Sequence, residues 1–375
     1  MAETWTVGRI LSWMEGFLGE HGDENPRLSA QWLVSDALGV SRIQLYADLA
    51  RPLTLEERDV LRAYTKRRAA GEPLQYITGT ADFRFITVDV RPGVLIPRPE
   101  TEVLVSEALA EVRAVERARR AAEAQAAAAD ADAEAADGPG ASDGAGADEA
   151  AAKALDEAGA AGAEGSSAAS SPEAATPGED KAGAAGEAPA FLAVDACTGT
   201  GCIACSIAHE VPGARVCATD ISSEAVDLAR HNAEKTGVAS RVSVVEGDLL
   251  EAVDAPWRGG AQLVISNPPY VPTAVIDGLP TEVRAHEPRL ALDGGVDGLD
   301  LYRRLLDQAK GVLAPEGVLA VELHETCLDE AARLARAAGF EAVRIARDLA
   351  GRPRVLVARM PAAGSAYLTS SETGE

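Results

Sequence analysis

Apolar side chains recur at helical spacing through the first 75 residues. Trp5, Ile10, Leu11, Met14, Phe17 and Leu18 form one set, Leu28, Trp32, Leu33, Ala37 and Leu38 a second, and Val60, Leu61 and Tyr64 a third. Pro26, Gly39 and Pro52 punctuate them, and Leu55–Arg68 reads as a helix rich in charged residues. Periods near 3.6 with short breaks predict a small helical bundle over 1–75. The character then changes. Tyr76-Ile77-Thr78-Gly79 and the run from Phe83 to Val90 are β-branched and aromatic with partial alternation, which predicts a β-hairpin linker over 76–96. From 97 to 360 the pattern is strand and helix in turn. Strands are expected at 191–196, 215–219, 242–246, 261–266, 317–322, 342–347 and 354–359, and helices at 202–210, 223–236, 301–313 and 326–338. Such alternation predicts an α/β fold, a mostly parallel sheet with helices on both faces.

One stretch breaks this pattern. Residues 121–189 hold 30 Ala and 10 Gly, no aromatic, and Leu155 as their only large aliphatic side chain. With 15 acids against Lys153 and Lys181, they carry −13 of the chain's net −24. So little apolar surface cannot offset chain entropy, so a disordered acidic insertion is expected, with transient helix where Ala clusters at 121–136. Residues 361–375 read as a flexible tail. The acidic balance argues against tight binding of duplex DNA. No apolar run is long enough to span a membrane, and Met1-Ala2-Glu3-Thr4-Trp5 lacks a basic leader, so the cytoplasm is the expected location. Five cysteines, an odd number, suit reduced thiols. Cys197-x4-Cys202-x2-Cys205 has the spacing of iron–sulfur ligands. Cys202 and Cys205 are more economically small apolar helix residues, and no metal is expected.

The chemistry falls at four successive strand ends, where ligands bind in such sheets. The first is Asp195-Ala196-Cys197-Thr198-Gly199-Thr200-Gly201, a glycine loop that lets a ligand approach the backbone and the free amides of the next helix. Many ordinary strand–helix turns look the same. The second ends in Asp220, suited to both hydroxyls of a ribose or, more blandly, to the start of a helix. The third carries Asp248-Leu249, an acceptor for an adenine amino group and an apolar neighbour for its ring. The fourth is Asn267-Pro268-Pro269-Tyr270. The prolines remove two donors, so the Pro268 carbonyl and the Asn267 side-chain oxygen can together hold a planar NH2 group, with Tyr270 as a flat surface beside it. A rigid turn explains the prolines but not their Asn and Tyr flanks.

Together these motifs resemble the class I S-adenosylmethionine-dependent methyltransferases that act on planar or exocyclic nitrogens. Pro73-Leu74-Gln75-Tyr76-Ile77-Thr78-Gly79, Phe83 and Leu95-Ile96-Pro97-Arg98-Pro99-Glu100-Thr101-Glu102 narrow the resemblance to the release factor glutamine methyltransferases. So do Glu287-Pro288-Arg289-Leu290-Ala291-Leu292, Gly294-Gly295 and Asp297-Gly298-Leu299. The resemblance implies a Rossmann-like seven-stranded sheet behind a helical substrate-docking domain. It implies S-adenosylmethionine as cofactor and class 1 peptide chain release factors as protein partners, methylated on N5 of the Gly-Gly-Gln glutamine. Cofactor binding would fall to Asp195, Cys197, Thr198, Gly199, Thr200, Gly201, Asp220, Asp248, Leu249 and Asn267. Catalysis would fall to Asn267, Pro268 and Tyr270, with Pro269 also against the substrate. An adenine or cytosine amino-methyltransferase of nucleic acids is the alternative, since Asn-Pro-Pro-Tyr serves exocyclic amines as well. A small basic cluster, Arg62, Lys66, Arg67 and Arg68, reads more as a solvated helix face than as a partner contact. A degenerate cofactor-binding scaffold is a third reading. Cys197 stands where the family usually has glycine, and its side chain is expected to narrow the cofactor site. No stable nucleic-acid binding is expected, and the chain is expected to be a monomer.

Overall fold

The computed structural model describes residues 4–136 and 191–364. Five short helices open the chain: α1 (Val7–Glu20), α2 (Pro26–Leu38), α3 (Arg42–Ala47), α4 (Leu55–Ala69) and α5 (Leu74–Thr78). Their ends are set locally. Thr6 caps α1, and Ser41 with Gln44 and Thr54 with Glu57 close capping boxes on α3 and α4. Met14, Leu33, Val34 and Leu61 meet in a small core of their own.

Residues 76–78, expected in a strand, form the last turn of α5 instead. Pro73 presets its start and Gly79, in the left-handed conformation at φ 79°, ends it. Local turn chemistry outweighs the β-branched composition. Tyr76 then packs toward the sheet while Ile77 packs into the helical core. The hairpin follows as β1 (Thr80–Phe83) and β2 (Ile86–Asp89), turning at Arg84-Phe85.

Helix α6 (Pro99–Ala136) comes next. Its buried positions, Leu104, Val105, Ala108, Leu109 and Val112, lie in its first half. Residues 121–136, expected in the disordered insertion, continue this helix, as their alanine content favours. The remainder of the insertion, 137–189, lies outside the described residues, as does the tail beyond 364.

The second block is β3 (Leu192–Ala196), α7 (Cys202–Glu210), β4 (Arg215–Asp220), α8 (Ser223–Lys235), β5 (Val242–Glu246) and β6 (Ala261–Ser266). After a long connection containing α9 (Thr281–His286) come α10 (Asp300–Ala309), β7 (Leu313–Glu322), α11 (Leu328–Ala337), β8 (Glu341–Arg347) and β9 (Pro353–Arg359). The seven strands lie in the order β5-β4-β3-β6-β7-β9-β8. All neighbours are parallel except β7 with β9 and β9 with β8. Helix α10 stops short of the expected 313. Gly311 turns the chain, and Leu313 already pairs with Ala261 as the first residue of β7.

Successive strand residues face opposite sides. Ala193, Leu263, Ile265 and Ala320 point toward α6, α7, α8 and the hairpin, whereas Val194, Val264, Leu319 and Val321 point toward α10 and α11. Both faces are therefore dry, as parallel strands require. Asn232 of α8, fully buried, ties the hairpin to the glycine loop. Its Oδ1 accepts the Asp89 amide, and its Nδ2 donates to the carbonyls of Asp89 and Thr200.

Candidate active site

Strand order reverses between β3 and β6. Ala196 sits level with Ser266 there, and the Ser266 hydroxyl donates to the Ala196 carbonyl at 2.8 Å. The four motif-bearing strand ends thus open on one cavity. Its walls include Cys197, Thr198, Gly199, Thr200, Asp220, Asp248, Leu249, Asn267 and Pro269. Asp195, Gly201, Pro268 and Tyr270 belong to the same strand-end motifs but are not among its lining residues.

Asp195 is fully buried under the glycine loop. Its Oδ2 accepts the Thr198 hydroxyl at 2.5 Å and the Ala204 amide at 3.2 Å, which closes the loop and caps the start of α7. Its Oδ1 has no partner among the described residues. Burial, helped by the charge of Asp220, pushes the carboxyl up to about 7 against those two hydrogen bonds. Gly201 sits at φ 78°, and a Cβ there would come within 3.0 Å of the Ala229 Cβ. Glycine is needed at this position both for the left-handed backbone and for the close packing of the loop on α8.

Asp220 accepts the Gly199 amide at 2.9 Å and the Ser222 amide at 3.0 Å, so it holds the glycine loop from the neighbouring strand end. Asp248 is paired with Arg304 of α10 at 2.7 Å, and both line the cavity. Sequence reasoning saw Asp248 but not Arg304, whose contact joins residues far apart in the chain. Leu249 holds a left-handed φ of 51°, and its carbonyl accepts the Thr219 hydroxyl at 2.6 Å.

Cys197 lines the cavity with φ 59°, in the left-handed region that favours glycine. The departure from glycine is therefore a backbone matter as well as one of space. A non-glycine residue held there costs roughly 1–2 kcal/mol. Desolvation in the cavity wall and the charges of Asp220 and Asp195 raise the thiol above its ordinary range, which disfavours the thiolate. Cys202 and Cys205 lie on the first turns of α7 and pack in the core, and no group of potential metal ligands occurs among the described residues.

Asn267 donates its Nδ2 to the Thr101 hydroxyl at 3.0 Å. Thr101 donates in turn to Glu322 Oε2 at 2.8 Å, and the Tyr270 hydroxyl donates to Glu322 Oε1 at 3.0 Å. Among the described residues nothing donates to the Asn267 Oδ1 or to the Pro268 carbonyl. Two acceptors are thus left open at this strand end. Tyr270 is fixed from its other side too, since a Cβ on Gly294 or Gly298 would strike its backbone at 2.7 and 2.4 Å. Arg98 pairs with the buried Glu287 at 2.6 Å, joining the segment before α6 to the one after α9 at the cavity wall. Thr101, Arg98 and Glu287 lay within quoted motifs but received no role. Glu322 was missed, although it is an acid at a fifth strand end, the same signal that marked Asp195, Asp220 and Asp248.

A mostly parallel sheet of this order, with one antiparallel strand inserted beside its last strand and carrying a glycine loop, two carboxylate ends and an Asn-Pro-Pro-Tyr turn, is the fold of the class I methyltransferases. A family model for the PrmC N-terminal domain matches residues 9–79, and one for the methyltransferase small domain matches 188–279. The release factor glutamine methyltransferase of Geobacter sulfurreducens is 36% identical over 324 residues, covering 86% of this chain and 85% of that protein. Its namesake from Moorella thermoacetica is 36% identical, covering 91% and 94%, and that from Streptomyces coelicolor is 32% identical, covering 82% of each. The chain belongs to the release factor glutamine methyltransferase family.

Two outcomes follow from the buried groups. Cys197→Gly should raise stability by about 0.5–1 kcal/mol in urea unfolding, because strain relief outweighs the extra freedom of the unfolded chain; a loss would mean that thiol packing dominates. Asp195 bears on pH. Its folded carboxyl is raised, so between about 3.8 and about 7 the folded state keeps a proton that the unfolded state releases. Stability is therefore lost as pH rises through that window. Asp195→Asn, which does not titrate, should gain on the parent protein between about pH 4.5 and about pH 8. A constant difference in unfolding free energy would contradict this.

Proposed function

We propose that this chain transfers a methyl group from S-adenosylmethionine to the side-chain amide nitrogen (N5) of the glutamine in the Gly-Gly-Gln motif of class 1 peptide chain release factors. The observation that carries the reading is the pair of open acceptors, Asn267 Oδ1 and the Pro268 carbonyl, at the end of β6. Relatives that carry the name of this activity are 36% identical over most of their length.

The cavity suits the cofactor. Gly199 and Gly201 keep the loop backbone low, Asp220 and Asp248 present carboxylates at the second and third strand ends, and Leu249 adds an apolar wall. The Oδ1 of Asp195, fully buried beneath the loop, has no partner among the described residues. When bound, the cofactor supplies an activated methyl on a sulfonium, so the protein needs neither metal nor covalent intermediate.

The protein's own task is the nitrogen. An amide lone pair is delocalised into its carbonyl and attacks poorly. Two acceptors that take both N–H bonds orient the nitrogen and favour the charge that develops on it. Tyr270 closes the side of this turn, with its hydroxyl held by Glu322. The helices of residues 1–75 are proposed to dock the release factor, which sets the reaction in the cytoplasm.

Three of the four residues in the basic cluster on α4 are already paired within the chain. Arg62 pairs with Asp59 at 2.5 Å, Arg67 with Glu72 at 2.5 Å, and Arg68 with Asp23 at 2.7 Å and Glu282 at 3.1 Å. No helix among the described residues is long and apolar enough to cross a membrane.

Mass spectrometry of a purified release factor incubated with the protein and S-adenosylmethionine tests the reading. One methyl on the Gly-Gly-Gln glutamine is expected, with a rate lowered roughly 10²–10³-fold in Asn267→Ala. Methylation of a nucleic-acid amine and not of the release factor would overturn it.

A further inference from the structure

We propose that Thr101 and Glu322 decide which way the Asn267 amide faces, and that they are positioning residues for the methyl transfer. The inference rests on the reading of Asn267 as an acceptor for the substrate nitrogen.

The argument is one of donors and acceptors. A hydroxyl has a single proton. That of Thr101 goes to Glu322 Oε2, 2.8 Å away, so the Thr101 oxygen is left only to accept. Asn267 can meet an acceptor only with its NH2 end, and its Nδ2 lies 3.0 Å from that oxygen. The amide oxygen is thereby turned away from Thr101, where nothing in the described protein competes for it. Tyr270 is bound by the same logic. Its proton goes to Glu322 Oε1, so the phenol beside the site brings no free donor toward Asn267.

Glu322 is fully buried at the end of β7, and Thr101 is buried in the first turn of α6. Such burial keeps water from substituting for either hydrogen bond. Without an acceptor at Glu322, the Thr101 hydroxyl is free to donate, and the Asn267 side chain 3.0 Å away can meet a donor only with its oxygen. The amide would then reverse and present NH2 to a substrate NH2, two donors face to face. The chain thus selects one of two amide orientations of nearly equal shape through a residue that need not touch the substrate.

Three variants test this: Thr101→Val, which keeps shape and removes the hydroxyl; Glu322→Met, which removes both acceptor oxygens; and Thr101→Ser, which restores the hydroxyl. Thr101→Val and Glu322→Met should lose roughly 10²-fold in kcat toward the release factor while calorimetric affinity for S-adenosylmethionine is retained. Thr101→Ser should recover most of the rate. A purely structural role would lower the melting temperature without separating kcat from cofactor affinity.

A second readout needs no substrate. In protein labelled with 15N at asparagine, the side-chain amide of Asn267 should exchange slowly with solvent, and this protection should vanish in Thr101→Val and Glu322→Met. Wild-type kcat in both folded variants, or an unprotected Asn267 amide in the parent protein, would overturn the inference. Should the parent fail to methylate the release factor, the proposed function falls, and the amide signal still decides the orientation.

Discussion

The alignment of β3 with β6 is the constraint on which the rest depends. Ala196 stands level with Ser266, and one hydroxyl bond fastens the two strand ends. That register sets the glycine loop directly beside the Asn-Pro-Pro-Tyr turn, although the two are about 70 residues apart in sequence. Moving β6 by a single residue would turn Asn267 to the opposite face of the sheet. The dry cores on both faces prevent this, because Leu263 and Ile265 belong to one and Val264 to the other.

Around this seam the protein keeps two fully buried acids, Asp195 and Glu322, and a half-buried one, Asp220. Asp195 closes the loop, Asp220 holds Gly199 from the next strand, and Glu322 gathers the protons of Thr101 and Tyr270. Burial raises all three carboxyls. Each sits where an uncharged residue would be easier to fold but would leave a loop amide or a hydroxyl free to turn. The cost falls on stability, and the return is a set of acceptors whose directions are fixed before any ligand arrives. The left-handed Cys197 and Leu249 belong to the same economy, strained backbone at the cavity wall and regular strands behind it.

Much of this was legible in the chain. Residues 202–210, 242–246 and 261–266 are found with the expected bounds, because each is an apolar run ended by a turn. Errors arose where two signals overlapped. The apolar pattern of α10 runs on through Val312 and Leu313 into β7, and only Gly311 marks the join. Tyr76-Ile77-Thr78 has strand composition between helix-setting Pro73 and Gly79. In the site, most of the residues chosen from their own motifs lie at strand ends around one cavity. Thr101, Glu322 and Arg304 were given no part, because their roles come from partners 166, 221 and 56 positions away. No local pattern encodes such pairings, although the acid at the end of β7 carried a usable hint.

The central claim is that Asn267 and Pro268 hold the nitrogen to be methylated. A crystal structure with S-adenosylhomocysteine and a release-factor segment bearing the Gly-Gly-Gln glutamine addresses it most directly. The account predicts the glutamine amide nitrogen within about 3 Å of both Asn267 Oδ1 and the Pro268 carbonyl. A glutamine seated in the cavity with its carbonyl oxygen toward Asn267, or its nitrogen held by other groups, would contradict it.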